Sequence, residues 1–330
     1  MRVSEEESNK EKKQITNKIV FLSGGTGTPK LLLGMRELLS DNEIVVIANN
    51  GDDEVFFGLL VCPDLDTVLY LFSNQLDLEQ FWGVKNDSFQ TLKQLQLLDA
   101  ETWFQLGDKD LALHLLRNQL LHEGYTLTKT TEEIIRRLEI TATILPMTNQ
   151  KIRTTMTSTK GKELTFQEYT VKYREEPEIK AVNYKGAEKA SISKEALKAI
   201  KTAKAVIIGP SNPITSIGPI LSIKNLKKAL EETSAPVIAI SPIRNGKAFS
   251  GPTVKLMKQL GMEGTTLALA SLYQSFIDYL VLSSEDEVYK GKINSMGIKT
   301  ITNNISLKNT KERVQLAEEL LRIIKGENKN

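Results

Sequence analysis

At 330 residues the chain can bury the core of one large domain or two fused ones, and its 40% hydrophobic and 25% charged content is that of an ordinary water-soluble globular protein. A formal charge of +2 gives no nucleic-acid footprint, no apolar run reaches bilayer length, and the charged N-terminus lacks the apolar stretch of a signal peptide, so a cytoplasmic protein with neither nucleic-acid nor membrane partners is expected. Cys62 is the single cysteine and His114 and His122 are the two histidines, which excludes an intrachain disulfide, a cysteine-based metal site and a multi-histidine centre.

Residues 1–17 are Glu, Lys, Ser and Asn with almost nothing to bury, and read as a disordered extension of a single α/β domain over residues 18–330. An apolar strand through Val20 and Leu22 runs into Ser23-Gly24-Gly25-Thr26-Gly27-Thr28 and then a helix with Pro29 in its first turn. Such a turn brings backbone N–H groups, two hydroxyls and the positive end of a helix to one point, which suits a phosphate, and Lys30 adds a cation. A tight strand-to-helix connection without a ligand accounts for the same residues, since the spacing is neither the dinucleotide fingerprint nor the Walker pattern.

A second buried strand, Ile44–Ala48, ends in Asn49-Asn50-Gly51-Asp52-Asp53, and Pro63-Asp64-Leu65-Asp66-Thr67 follows. Four carboxylates thus gather within fifteen positions just past a strand's carboxyl end, where open α/β sheets bind ligands. These are hard oxygen donors suited to Mg²⁺, with Asp52, Asp53 and Asp64 as candidate ligands and water and substrate phosphates completing the shell. Helix capping and turn formation are the competing explanation.

From 76 to 145 the alternation of strands and helices breaks, and Leu92, Leu95, Leu111, Leu115, Ile134, Ile135 and Leu138 recur at helical spacings, which predicts an inserted helical lobe with a capping box at Thr130 and Glu133. Asp110 and His114 fall on one helix face, with His114 read as structural; Arg117 is a candidate for a phosphate, and Trp82, Trp103 and Phe104 read as core. Residues 150–195 read as an antiparallel meander, with Lys160-Gly161-Lys162 as a turn. Later strands are expected at 205–208, 236–240, 279–282 and 299–302. The first two end in polar loops whose Ser211, Asn212 and Ser241 offer donors to a phosphate or a base edge, or form rigid turns with no ligand. A last helix over 310–325 is capped by Asn309 and stopped by Gly326, and 326–330 is a flexible tail. The pattern predicts an α/β fold: a Rossmann-like, mostly parallel sheet with an inserted helical lobe and a small β meander.

Six blocks carry a more specific signal: Phe21-Leu-Ser-Gly-Gly-Thr-Gly-Thr-Pro-Lys-Leu-Leu32, Pro63-Asp-Leu-Asp-Thr-Val-Leu-Tyr70, Leu106-Gly-Asp-Lys-Asp110, Ile144-Leu-Pro-Met147, Gly209-Pro-Ser-Asn-Pro-Ile-Thr-Ser-Ile-Gly-Pro-Ile220 and Ser241-Pro-Ile243. In this order they resemble the 2-phospho-L-lactate transferases (CofD family) of coenzyme F420 biosynthesis. The resemblance implies a Mg²⁺-dependent transferase that moves a 2-phospholactyl or enolpyruvyl-2-phospho group from a guanosine-diphosphate-activated donor to the ribityl hydroxyl of the deazaflavin Fo, releasing GMP. It implies that Asp66 binds the deazaflavin and orients or deprotonates the hydroxyl. The donor phosphates and guanosine then fall to Gly24, Gly25, Thr26, Gly27, Thr28, Lys30, Ser211, Asn212 and Ser241. A family Lys or Arg contact to the deazaflavin corresponds to Gln105 here, with Lys109 as an alternative source of the charge. Proteins of the gluconeogenesis-factor type share the glycine turn and the Asn/Asp block and bind nucleotide sugars in a regulatory role, which stays open as the other reading. A homodimer is likewise left open.

Overall fold

The structure, a computed structural model, describes residues 17–249 and 251–327, so all but one residue of the expected N-terminal extension and the end of the expected tail lie outside the described residues. Ile19–Ser23 (β1) and Ile44–Ala48 (β2) are aliphatic runs buried at every position, the pattern of strands covered on both faces, and they pair in parallel from Ile19 beside Ile44 to Ser23 beside Ala48. Gly27–Arg36 (α1) connects them. Glu54–Phe56 (β3) and Leu59–Val61 (β4) form a hairpin that the sequence does not announce. Its turn residues Phe57 and Gly58 have φ of 51° and 81°, a geometry that Asn-Gly signals far more often than Phe-Gly.

Pro63–Phe72 (α2) opens with its proline at the first helical position, where the missing N–H costs nothing. Gln90–Leu97 (α3), Asp108–His122 (α4) and Leu127–Arg137 (α5) form the helical lobe. The lobe ends short of residue 145, because Thr143–Pro146 (β5) pairs with β2 at the edge of the sheet. The capping box at Thr130 and Glu133 is not present: α5 begins a turn earlier, with the Thr126 side chain accepting from the Lys129 N–H, and Glu133 pairs with Arg136 and Arg137.

Arg153–Ser158 (β6), Glu163–Thr165 (β7) and Ile179–Lys185 (β8) make an antiparallel sheet in the order β7-β6-β8, with Gly161 at φ 83° in the expected turn. The chain continues through Lys194–Lys201 (α6), Ala205–Ile208 (β9), Ile217–Ser222 (α7), Leu226–Glu232 (α8) and Val237–Ile240 (β10). After the short ribbon Ile243–Arg244 (β11) and Lys247–Ala248 (β12) come Thr253–Gln259 (α9), Thr266–Tyr273 (α10), Tyr279–Ser283 (β13), Lys290–Ser295 (α11), Lys299–Asn303 (β14) and Thr310–Lys325 (α12). Asn309 caps α12 by accepting from the Glu312 N–H, and Gly326 stops it at φ 72°.

The central sheet has seven strands in the order β14-β13-β10-β9-β1-β2-β5, with every neighbouring pair parallel. Side chains alternate across it: Ile19 and Phe21 pack with Leu31, Leu65 and Leu316 on one face, while Val20 and Leu22 pack with Ile200, Ile217 and Leu230 on the other. Each such side chain contributes roughly 1.5–3 kcal/mol of burial. On the first face α12 lies on α1 so closely that a Cβ on Gly34 would sit 2.3 Å from the Arg313 carbonyl oxygen. The strand order reverses at β1, where the chain first builds outward through β2 and later returns through β9 on the other side. In open parallel sheets ligands bind outside the carboxyl ends of the strands at such a reversal, and the loops after β1, β2 and β9 all end there.

Candidate active site

The loop after β1 and the loop after β9 meet backbone to backbone. A Cβ on Gly24 would lie 2.6 Å from Ser216 Cβ, one on Gly27 2.0 Å from the Pro210 carbonyl oxygen, and one on Gly209 2.0 Å from Thr28 Oγ1. These three glycines are therefore required by the seam between the loops, whatever else binds there. Ser211 completes it: its hydroxyl donates to the Gly24 carbonyl and lies 2.9 Å from Thr28 Oγ1. Gly25 is different. Its φ of 61° is a left-handed conformation, a Cβ there would meet only Ser216 Oγ at 3.3 Å, and its N–H donates to Asp64 Oδ1 at 2.7 Å. An anionic group of the protein itself thus sits at the mouth of the turn. The Asn212 side-chain oxygen accepts from the Ile214 and Thr215 N–H groups, and its Nδ2 is buried without a partner.

Asp64 is tied through Asn49 to Asp52. The Asn49 Nδ2 donates to Asp52 Oδ2 and Asp64 Oδ2, each at 2.9 Å, so one amide bridges carboxylates from two segments. Burial first, and then the neighbouring Asp64, holds the Asp52 carboxyl well above the usual range. Burial likewise pushes Asp64 up to about 6, against the hydrogen bonds from Asn49 and Gly25 that favour its anion. Asp52 Oδ1 is buried with no partner. Asp53 faces the other way, toward Cys62, Arg117 and Asp66; burial raises its carboxyl, and its Oδ1 is also unpartnered. Among the described residues no three His, Cys, Asp or Glu side chains gather as a metal site. Two close, partly unsatisfied carboxylates nonetheless fit Mg²⁺, which usually takes one or two of them and fills its octahedron with water and phosphate oxygens.

Asp66 lies two positions beyond Asp64, on the buried side of α2. Arg117 binds it across both oxygens: Nη2 bonds Oδ1, Nη1 donates to Oδ2 at 3.1 Å, and the Cys62 N–H adds a third donor at 3.2 Å. Arg117 is wholly buried and was not foreseen here; it serves no phosphate in this arrangement. Its Nη1 also lies 3.2 Å from His114 Nδ1, and because a guanidinium only donates, that nitrogen must accept and the ring proton sits on Nε2. Nε2 lies 3.2 Å from Asp110 Oδ1, which accepts from the Tyr70 hydroxyl. Burial alone would raise the Asp110 carboxyl, but His114 and Tyr70 bring it below its ordinary value. The spacing of Asp110 and His114 anticipates their shared face of α4; that Arg117 joins them, and that this face meets Asp66 and Tyr70 of α2, lies beyond a one-dimensional reading.

The remaining candidates are scattered. Lys30 extends to the Phe81 ring, 4.8 Å from its centroid, and Arg313 lies over the same ring at 5.2 Å. Ser241 is fully buried, donates to the Ile243 carbonyl and lies 3.1 Å from Thr266 Oγ1, so it holds its own loop together. Gln105 is exposed. Lys109 donates to the carbonyls of Lys85 and Asn86, within a reciprocal cap in which Asp87 receives the Lys109 and Asp110 N–H groups and Asp108 those of Gln90 and Thr91. Asn49, the hub of the site, had no place among the sequence candidates; its position directly after a buried strand and before two aspartates was the available signal.

Residues 19–320 match the family described as 2-phospho-L-lactate transferase CofD. The chain belongs to the CofD family. Within it, the chain is 41% identical to the 2-phospho-L-lactate transferase of Methanospirillum hungatei over 81% of its own length and 89% of the other's. It is 38% identical to that of Methanosarcina acetivorans, covering 91% and 97%, and 37% identical to that of Methanosarcina mazei, covering 91% and 98%. This CofD-family chain is an enzyme, a transferase. Its fold also resembles a UPF0052-family protein from Bacillus halodurans, with a TM-score of 0.59 over 92% of this chain and 99% of that one at 18% identity, a likeness of fold alone.

Proposed function

We propose that the protein transfers a 2-phospholactyl, or enolpyruvyl-2-phospho, group from a GDP-activated donor to the ribityl hydroxyl of the deazaflavin Fo. The acceptor oxygen bonds to the phosphorus carrying the acyl group, the bond from that phosphorus to the guanylate oxygen breaks, GMP leaves, and the hydroxyl proton is released. Family membership supports the reaction class. The observation that carries the site is the Asp52–Asn49–Asp64 bridge at the mouth of the Gly24–Thr28 turn, on the sheet's reversal point.

In this reading the diphosphate enters at the turn from Gly24 to Thr28, beside Asn212, and Asp52 and Asp64 hold Mg²⁺. When bound, the cation neutralises charge on the phosphates as it builds toward the transition state. Asp64 can hold the cation where it stands, since the Gly25 N–H and the Asn49 amide each take only one lone pair of its two oxygens. Asp53 stays on the acceptor side. Asp66, clamped by Arg117, receives the hydrogen bond of the acceptor hydroxyl and orients it, and Gln105 reaches the deazaflavin edge from its exposed place in the loop before α4. Among the described residues no helix is long and apolar enough to cross a membrane, in keeping with a reaction in the cytoplasm.

The decisive experiment incubates the purified protein with Fo, Mg²⁺ and each activated donor and resolves products by mass. Fo joined through a phosphodiester to the acyl group, with equimolar GMP, is expected. A protein that binds a nucleotide sugar but neither binds nor modifies Fo would overturn the proposal in favour of a regulatory role.

A further inference from the structure

Asn49 is wholly buried at the end of β2, and its placement leaves little freedom. Its backbone N–H donates to the Ser23 carbonyl at 2.8 Å, continuing the β1–β2 ladder by one rung. The side-chain orientation follows from the hydrogen bonds: Oδ1 accepts from the Gly51 N–H at 2.8 Å, and a flipped amide would set NH₂ against that donor. Nδ2 therefore points at the carboxylates and gives one hydrogen to each, with the Thr215 carbonyl more distant at 3.5 Å. Gly51 keeps the loop tight around the amide, since a Cβ there would lie 2.8 Å from Pro219 Cβ and 3.1 Å from Asn49 Oδ1.

Few side chains can do what this amide does. A leucine would take this donor from both buried carboxylates and leave Asp64 the Gly25 N–H alone, an aspartate would add a third negative group, and a lysine would cancel their charge and take the place of a cation. A neutral group with two hydrogens holds both carboxylates in place and leaves their charge available. Asp52 Oδ1, on a residue only 5% exposed, is the unpartnered acceptor beside it.

We propose that Asn49 is the positioning residue of the divalent-cation site, presetting Asp52 and Asp64 as a pair for Mg²⁺ without neutralising them. The proposal rests on the reading that these two carboxylates bind the cation. Groups of this kind, one step behind the ligands, change metal affinity by roughly 10–100-fold when removed.

The test is thermal melting of the full chain with increasing MgCl₂, against KCl at matched ionic strength. The wild type should gain stability from Mg²⁺ alone. Asn49→Ala should need about tenfold more Mg²⁺ for half of the gain. Asn49→Asp should melt lower than wild type without the cation and show a larger Mg²⁺-induced rise. In parallel, the side-chain NH₂ resonance of Asn49 in ¹⁵N-labelled wild type should shift with the same half-saturation, a readout that does not depend on either variant folding. A wild type indifferent to Mg²⁺ would remove the cation reading itself. A responsive wild type whose Asn49 resonance stays still, or an Asn49→Ala protein with wild-type half-saturation, would leave the cation in place and overturn the role of Asn49.

Discussion

Asp66→Asn separates the structural from the chemical part of the Asp66–Arg117 pair. In the wild type the buried guanidinium faces a carboxylate that accepts from both of its terminal nitrogens. Asparagine keeps the volume but offers one acceptor and one donor, so a buried positive charge loses its counter-ion and meets an N–H. Breaking a buried pair from one side costs about 3–5 kcal/mol. With an unfolding entropy of about 2.1 cal/mol/K per residue over 330 residues, the melting temperature should fall by about 4–7 °C. Turnover should fall by about 10²-fold or more if Asp66 also orients the acceptor. The double variant Asp66→Leu with Arg117→Met removes both charges, and such replacements are often neutral for stability. Calorimetry and a product assay on both proteins divide the roles: the double variant should recover most of the melting temperature and none of the turnover. An Asp66→Asn protein that melts like wild type would refute the buried pair, and a double variant with wild-type turnover would refute the acceptor role.

Between about pH 4 and pH 6 the raised carboxyl of Asp64 makes the native state hold a proton that the unfolded chain has released, so its contribution to stability falls as pH rises through that window. Mg²⁺ competes with that proton, and the stabilisation by Mg²⁺ should therefore grow from pH 5 to pH 7; a rise independent of pH in melting experiments would place the cation elsewhere. Gly27→Ala puts a Cβ 2.0 Å from the Pro210 carbonyl oxygen and should lose melting temperature and donor affinity together. Gly25→Ala meets strain at φ 61°, about 1–2 kcal/mol, and a tight contact with Ser216 Oγ at 3.3 Å, so donor affinity lost beyond the loss of melting temperature, measured by calorimetric titration, reports on ligand approach to the turn; proportionate losses in both variants would leave the turn a folding element. Gln105→Lys should tighten Fo binding most at alkaline pH, where the deazaflavin is ionised, and lose that gain in high salt, because Lys109 directs its ammonium hydrogens at the carbonyls of Lys85 and Asn86. Fo affinity unchanged across pH and salt would withdraw position 105 from the acceptor site.

The elements most legible in the sequence were those whose reasons are local. Ala205–Ile208 and Thr310–Lys325 begin and end where composition and capping residues place them. The β3–β4 hairpin was not legible, because Phe57-Gly58 turns without the usual residues, and the Thr130 box was misleading, because an earlier threonine captured the cap. For the site, the glycine turn and the aspartates were visible as types and spacings. Which carboxylate faces which partner was not: Asp52 and Asp53 are adjacent yet point into different clusters, and Asp64 and Asp66 divide in the same way. That division is set by side-chain alternation at a loop and around a helix, and it needs the packed neighbours to fix its phase.

The seat of α12 on α1 has a consequence for the making of the protein. The helix that carries the glycine turn is covered by one that lies beyond residues 37–309, so α1 cannot bury that flank until nearly all of the described chain exists. At roughly 5–20 residues per second, translation leaves the interval open for about 15–55 s. Throughout it the flank of α1 around Gly34, on which Arg313 later sits, faces the ribosome surface and whatever holdase waits there. Nascent chains halted before residue 310 should therefore be captured by chaperones and cut by proteases near α1, and release of the last helix should end both at once.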